Sequence, residues 1–207
     1  MRIIVFGAAG SVGYRTAAEA LSRGHRVTAV VRSPDRELPR GATVAVGDAA
    51  DPDSVIRLTE GHDAAVSAVR ADGGRQLEAT DALLRGAAKT GIRLLIVGGA
   101  ATLRVPDGGG LVLDDPRYVS DEWRAAAEAS AAQHHRCVED AEADWTYLSP
   151  PAILAPGKRT GKYRKGTDEL ITDAAGVSRI SVEDLAVAVI DELERPEHRR
   201  GRFTVAD

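Results

Sequence analysis

Cysteine is nearly absent from this chain. Cys137 stands alone among 207 residues, which excludes an intramolecular disulfide framework and any metal site built from cysteines; a reducing, cytoplasmic setting is expected. An excess of positive charge is missing as well. With 27 Lys and Arg against 31 Asp and Glu, the formal net charge is −4. No global basic field draws nucleic acid or an anionic membrane surface, so any recognition of phosphate has to be local. No apolar run is long enough to span a bilayer, and the first residues enter a strand pattern at once, without the basic, apolar and cleavage-site order of a signal peptide. A soluble, unprocessed chain with no nucleic-acid or membrane partner is therefore expected. Internal repeats and a Pro/Ser-rich linker are lacking, and 207 residues at 43% hydrophobic fit one domain over 1–207 better than two. Without a heptad seam, the chain is expected to be a monomer or a homodimer. One further gap bears on chemistry: no lysine occurs between Lys89 and Lys158.

What is present is a regular alternation. Ile3 to Phe6 is an apolar run ending at a glycine, and Ser11 to Ser22 follows with Val12, Ala17, Ala20 and Leu21 on one helical face. Val27 to Val31 is a second β-branched run, which makes the opening a βαβ unit with parallel strands. Short strands are predicted at Thr43 to Val46, Ala64 to Ala68, Leu94 to Val97 and Trp145 to Leu148. Helices are predicted over Asp53 to Glu60, Gln76 to Lys89 with Gly91 as its stop, Asp121 to Ala143, and a last one entered at Ser181 to Asp184. Phe203 to Val205 reads as an edge strand, and Gly157 to Ile180 as an extended excursion or hairpin. The stretch Gly98 to Ser120 breaks the pattern and is long enough for a mobile active-site loop. The fold class expected is α/β, a Rossmann-type doubly wound, mostly parallel sheet with helices on both faces and ligand at the C-terminal edge of the strands. Substrate-side elements then fall around 98–123 and 149–180.

Gly7, Ala8, Ala9, Gly10, Ser11, Val12 and Gly13 spell G-x-x-G-x-x-G between a predicted strand and a predicted helix. Glycines permit the tight turn and the close approach of backbone to a pyrophosphate, while the helix N-terminus offers unpaired N–H groups and a favourable dipole. An NAD site usually carries an acidic residue after the second strand. Here Arg32 stands there with Arg36 close by, and guanidinium groups suit a 2′-phosphate. NADP is therefore expected over NAD. Asp48, with Ala49 beside it, follows the third strand as an adenine contact or as a turn residue ahead of Pro52. Ala68 and Gly98, at the ends of the fourth and fifth strands, complete the cofactor edge.

Read together, GAAGSVG at Gly7 to Gly13, VRSPDR at Val31 to Arg36, VGD at Val46 to Asp48, SPP at Ser149 to Pro151, TGKY at Thr160 to Tyr163 and SRIS at Ser178 to Ser181 resemble the atypical short-chain dehydrogenase/reductase superfamily. The likeness is to its NADH-flavin reductase group, related to biliverdin-IXβ/flavin reductase and to NmrA-like proteins, and it covers nearly the whole chain. It implies that Arg32 and Arg36 meet the 2′-phosphate, that Asp48 meets adenine, and that Pro150, Pro151 and Ile153 lie beside the nicotinamide.

The departures from that family decide the chemistry. Alcohol-oxidising members pair a tyrosine with a lysine four residues on; Tyr118 has Glu122 there instead. The serine often found after the fifth strand is replaced by Gly98, Gly99 and Ala100, leaving Thr102 as a possible substitute, and Ala152 stands where the flavin-reducing relative has a histidine. Hydride delivery to a flavin, quinone or similar planar conjugated acceptor remains, because positioning supplies much of the rate and solvent can supply the proton. Thr102 and Tyr118 are the candidate catalytic groups. Thr102, Tyr118, Trp123 and Ser149 are the candidate substrate contacts, the aromatics as stacking walls or as packing residues. A cofactor-sensing protein of the NmrA type without turnover, and an epimerase or dehydratase, are the competing readings. No metal is expected: His134 and His135 point about 100° apart on a helix, Cys137 joins them on paper only, and Asp114 and Asp115 read as turn residues beside Pro116.

Overall fold

Alternation along each strand decides which side of the sheet a residue faces. In β1 (Arg2–Phe6), Ile3 and Val5 enter one core while Ile4 and Phe6 enter the other. The computed structural model describes residues 1–70, 74–106 and 108–207. After β1 come β2 (Arg26–Val31), β3 (Thr43–Val46), β4 (Ala64–Ser67), β5 (Arg93–Val97), β6 (Trp145–Ser149), β7 (Ile153–Ala155), β8 (Arg164–Gly166), β9 (Arg179–Ser181) and β10 (Gly201–Ala206). Eight of them form one sheet in the order β3-β2-β1-β4-β5-β6-β10-β8. Every pairing in it is parallel except β10 with β8. The strand order reverses between β1 and β4, the switch point at which doubly wound sheets open a crevice for ligand.

Helices cover both faces. On one side α1 (Ser11–Ser22) and α5 (Val182–Glu194) bury Ala17, Ala20, Leu185, Ala188 and Val189; on the other α2 (Pro52–Thr59), α3 (Arg75–Thr90) and α4 (Asp121–Glu139) bury Val55, Leu83, Ala87 and Cys137. α3 stops at Gly91 in the left-handed conformation, whose N–H donates to the Ala87 carbonyl, the expected glycine stop. α4 is shorter than its composition suggests. The Asp140 carboxylate accepts from the N–H groups of Glu142 and Ala143, a local turn that competes with helix and ends it at Glu139.

Three expectations are corrected. Phe203 to Val205 belongs to an inner strand, since β8 covers the side of β10 away from β6. The segment from Gly157 to Ile180 is no hairpin: β8 pairs with β10, and β9 pairs in parallel with β7 in a separate two-stranded sheet. The stretch from Gly98 to Ser120, of which Asp107 lies outside the described residues, is packed rather than an open loop. Leu103, Val105, Val112 and Leu170 form a small core there, with Tyr118 and Val119 against it, and Arg104 bridges to Leu111 and Glu169. Among the described residues, no helix is long and apolar enough to cross a membrane.

Candidate cofactor and substrate site

Close backbone approaches fix both ends of the glycine turn. Gly7 has φ +79°, and a Cβ on it would fall 2.6 Å from the Ala68 carbonyl oxygen at the end of β4. A Cβ on Gly13, in the first turn of α1, would fall 2.2 Å from the Gly7 carbonyl oxygen. Gly10 has ordinary backbone angles and is the N-cap of α1; no side chain caps it, and the first turn carries no acidic residue. By contrast, Asp51 caps α2 and Ser181 caps α5. Ala9, Gly10 and Ser11 are exposed and Val12 is half-buried. The uncapped N–H groups of this helix start, at the positive end of its dipole, fit a pyrophosphate.

Arg32 and Arg36 are exposed just beyond β2. Asp48 accepts from the Ala50 N–H at 3.0 Å and from Arg75 Nη2 at 2.7 Å. The Ala50 N–H first, then Arg75, and more weakly the charge of Arg32, hold its carboxyl below the usual range, so it presents an acceptor to an amino group. Arg75, at the start of α3, has no sequence signal beyond its charge; only the fold brings it to Asp48. Ala49 is buried against the α2–α3 core.

Just beyond β5, the Gly98 N–H donates to the Leu148 carbonyl oxygen, and a Cβ on Gly98 would lie 1.9 Å from the Tyr147 hydroxyl oxygen. That hydroxyl accepts from the Gly99 N–H at 3.2 Å and donates to the Ser130 carbonyl oxygen at 3.0 Å. A Cβ on Gly99 would meet Ser130 Oγ at 2.5 Å. The space a serine would need after β5 is thus filled by Tyr147 and by α4. Burial pushes the Tyr147 phenol up from its ordinary value, so it holds its proton. Pro150 and Pro151 are buried, while Ile153 is 48% exposed. Ser149 is wholly buried opposite Thr204, and among the described residues neither hydroxyl has a hydrogen-bond partner.

The remaining candidates make separate sets of polar contacts. Arg202 Nη1 donates to Thr102 Oγ1 at 2.8 Å and to its carbonyl oxygen at 3.0 Å, and Thr102 Oγ1 lies 3.2 Å from His134 Nδ1. Thr102 therefore fastens the 98–120 stretch to β10 and α4. The Tyr118 hydroxyl donates to the Gly176 carbonyl oxygen at 3.3 Å, joining that stretch to the turn before β9. Trp123, on the first turn of α4, is half exposed with the Arg70 guanidinium 5.1 Å from its ring centre, a cation–π contact that sequence spacing could not reveal. His135 is exposed and Cys137 is in the core, its thiol pushed up to about 12 by burial.

His134 gives a pH prediction. Burial, followed by Arg202 and His135, pushes it down to about 4. An unfolded histidine protonates below about 6.5, so between those values the unfolded state binds more protons and stability falls as pH drops. Relative to His134→Gln, the wild type should lose about 1–2 kcal/mol across this window, discounted for partial exposure. Parallel denaturation-versus-pH curves for the two proteins would remove His134 from this role.

The sheet order, the glycine turn at the switch point and the open helix start define a dinucleotide-binding Rossmann protein. A family described as NAD(P)H-binding matches residues 7–193, and the chain belongs to this family. It is 38% identical over 216 aligned positions to YwnB of Bacillus subtilis (strain 168), covering 99% of this chain and 98% of that one. A candidate exported protein from Burkholderia pseudomallei superposes with TM-score 0.91 at 36% identity over 100% of both chains. A candidate NADH-flavin reductase from Streptococcus pneumoniae TIGR4 superposes with TM-score 0.88 at 29% identity, covering 100% of this chain and 99% of that one.

Proposed function

We propose that the 207 residues work as one NADPH-dependent reductase unit that delivers hydride to a flavin, quinone or similar planar conjugated acceptor. The observation that carries this reading is the position after β5, where Tyr147 fills the space a serine would need and leaves no proton relay to assemble with the missing lysine. A nicotinamide cofactor held at the strand edge supplies the hydride. The turn from Gly7 to Gly13 binds its pyrophosphate, Arg32 and Arg36 its 2′-phosphate, and Asp48 its adenine. Pro150, Pro151 and Ile153 shape the dry wall on the nicotinamide side. Trp123 and Tyr118 flank the acceptor, and solvent provides the proton. The Streptococcus relative, a candidate NADH-flavin reductase, supports the flavin acceptor but not the choice of NADPH over NADH. A cytoplasmic setting, where NADPH is maintained, belongs to the same reading; cell fractionation checks it.

Steady-state loss of NADPH absorbance with FMN, riboflavin and menadione tests the reading, and no turnover with any of them would favour a cofactor sensor instead. Arg32→Ala is expected to weaken NADP binding by about 1.5–3 kcal/mol while NAD binding changes little; equal losses in titration calorimetry would end the 2′-phosphate assignment. Trp123→Ala should raise the acceptor KM several-fold, consistent with about 1 kcal/mol of stacking, and leave the NADPH KM unchanged.

A further inference from the structure

Glu183, in the first turn of α5, joins three separate pieces of the chain. Its Oε1 accepts from Arg15 Nε of α1 at 2.7 Å, and its Oε2 accepts from the Gly157 N–H just after β7 at 2.8 Å. Both charged side chains are largely covered, Arg15 31% and Glu183 23% exposed. Burial pushes the Glu183 carboxyl up, but Arg15 and the N–H groups of Gly157 and of Glu183 itself outweigh it and hold the group below its ordinary value. It carries its charge at neutral pH. The neighbouring charged groups are committed elsewhere. Glu19, one turn along α1 from Arg15, binds Arg23 and Arg159; Asp191 binds Arg23 and the Tyr163 hydroxyl; Asp184 accepts from the N–H groups of Thr160 and Gly161. Arg15 and Glu183 form a pair of their own.

The pair leads to two different parts of the strand edge. Long side chains on a helix lean back toward its N-terminus, and Arg15 Nη1 lies 3.3 Å from the Ser11 carbonyl oxygen and 3.4 Å from Ser11 Oγ. Ser11 opens α1 at the glycine turn. In the other direction, Gly157 is docked on the start of α5. A Cβ on it would fall 2.9 Å from Ser181 Cβ, and the Ser181 hydroxyl donates to the Lys158 carbonyl oxygen. The short strand β7, whose Ala155 is in register with Ser181 of β9, connects Gly157 back to the double-proline turn.

We propose that Glu183 is a positioning residue for the cofactor: acting through Arg15 and Gly157, it fixes the spacing between the glycine turn and the double-proline wall. A dinucleotide has two ends joined covalently, so its second end binds at high effective concentration only where both subsites stand at the spacing the molecule spans. A carboxylate bonded to the supports of both subsites sets that spacing without touching the ligand. The proposal rests on the reading that the turn takes the pyrophosphate and the double-proline side the nicotinamide, and it adds what holds the two in register.

The test compares the whole cofactor with its halves. Calorimetry measures NADPH, adenosine 2′,5′-bisphosphate and reduced nicotinamide mononucleotide on the wild type, on Arg15→Met, on Glu183→Gln and on the double variant, with thermal melts alongside. The double variant removes one charge of each sign, so its net charge is that of the wild type. It is expected to lose about tenfold in NADPH affinity while each half changes less than about twofold. Each single variant should lose nearly as much NADPH affinity as the double, because the two residues act as one link. Arg15→Lys keeps the charge but lacks the rigid fork that serves Glu183 and Ser11 together; it should show a smaller loss of the same kind, and it decides the matter if the double variant does not fold. Unchanged NADPH affinity, a half that weakens as much as the whole, or single losses that multiply in the double variant would overturn the role of Glu183. Gly10→Ala tests the underlying reading separately. If it binds NADPH as the wild type does, the glycine turn is not the pyrophosphate site. If it loses NADPH and the adenosine half while the Arg15 and Glu183 variants bind normally, the turn stands and the brace falls.

Discussion

Gly13→Ala is expected to cost about 2–3 kcal/mol of folding stability and to weaken NADPH binding by at least about 2 kcal/mol, roughly thirtyfold. The added Cβ would stand 2.2 Å from the Gly7 carbonyl oxygen, 2.8 Å from its carbon and 2.9 Å from Ala8 Cα. All three neighbours are backbone, so no rotamer change relieves the overlap, and α1 has to move off the turn. That movement misaligns the N–H groups meant for the pyrophosphate, whose binding depends on their convergence. Gly10→Ala separates the two effects. Its φ is −80° and its Cβ would come only to 3.3 Å from the Gly7 carbonyl oxygen, so the fold should keep its stability while the exposed methyl group obstructs the cofactor. Thermal melts and NADPH titrations of both variants check this. A Gly13→Ala protein with wild-type affinity would sink the role given to this glycine.

Features with local causes were legible in the sequence. The bounds of α1, Ser11 to Ser22, follow from a glycine turn and an amphipathic stretch that lie within one another's reach. Gly91 ends α3 by its own backbone preference. What sequence could not show depends on partners far along the chain. β10 resembled an edge strand because its cover, β8, joins it from across α5. Thr102 is an exposed-looking threonine in a glycine-rich stretch until Arg202, a hundred residues later, folds onto it. The missing serine after β5 read as a lost catalytic group; the hydroxyl of Tyr147 in the same space makes it a packing requirement as well. Arg75 reaches Asp48 and Arg70 reaches Trp123 through the same non-local folding.

Glu192→Ala should be the most destabilising of the single substitutions considered, by about 3–5 kcal/mol, because it leaves a buried charge without its partner. Arg93, at the start of β5, is 7% exposed, and Glu192, on α5, is 1% exposed; their charged groups meet at 2.6 Å. Burial pushes the Glu192 carboxyl up, but the His198 ring, the N–H groups of His198 and Glu197, and Arg93 together hold it below its ordinary value. Without Glu192, Arg93 keeps only Thr146 Oγ1 at 3.3 Å, and its Nε and Nη1 already lack partners. The turn carrying Glu197 and His198 into β10 loses its anchor in the same step. Arg93→Met/Glu192→Leu should recover only the part that comes from the unpaired Arg93 charge, because the N–H groups of Glu197 and His198 still lose their acceptor. The parallel strands put this pair at the opposite end of the sheet from the glycine turn, so the double variant should bind NADPH as the wild type does. Urea unfolding with a constant m-value reports the stability difference. A loss below about 1 kcal/mol for Glu192→Ala, the range of an exposed ion pair, would show that the pair is not buried in solution as it is in this fold.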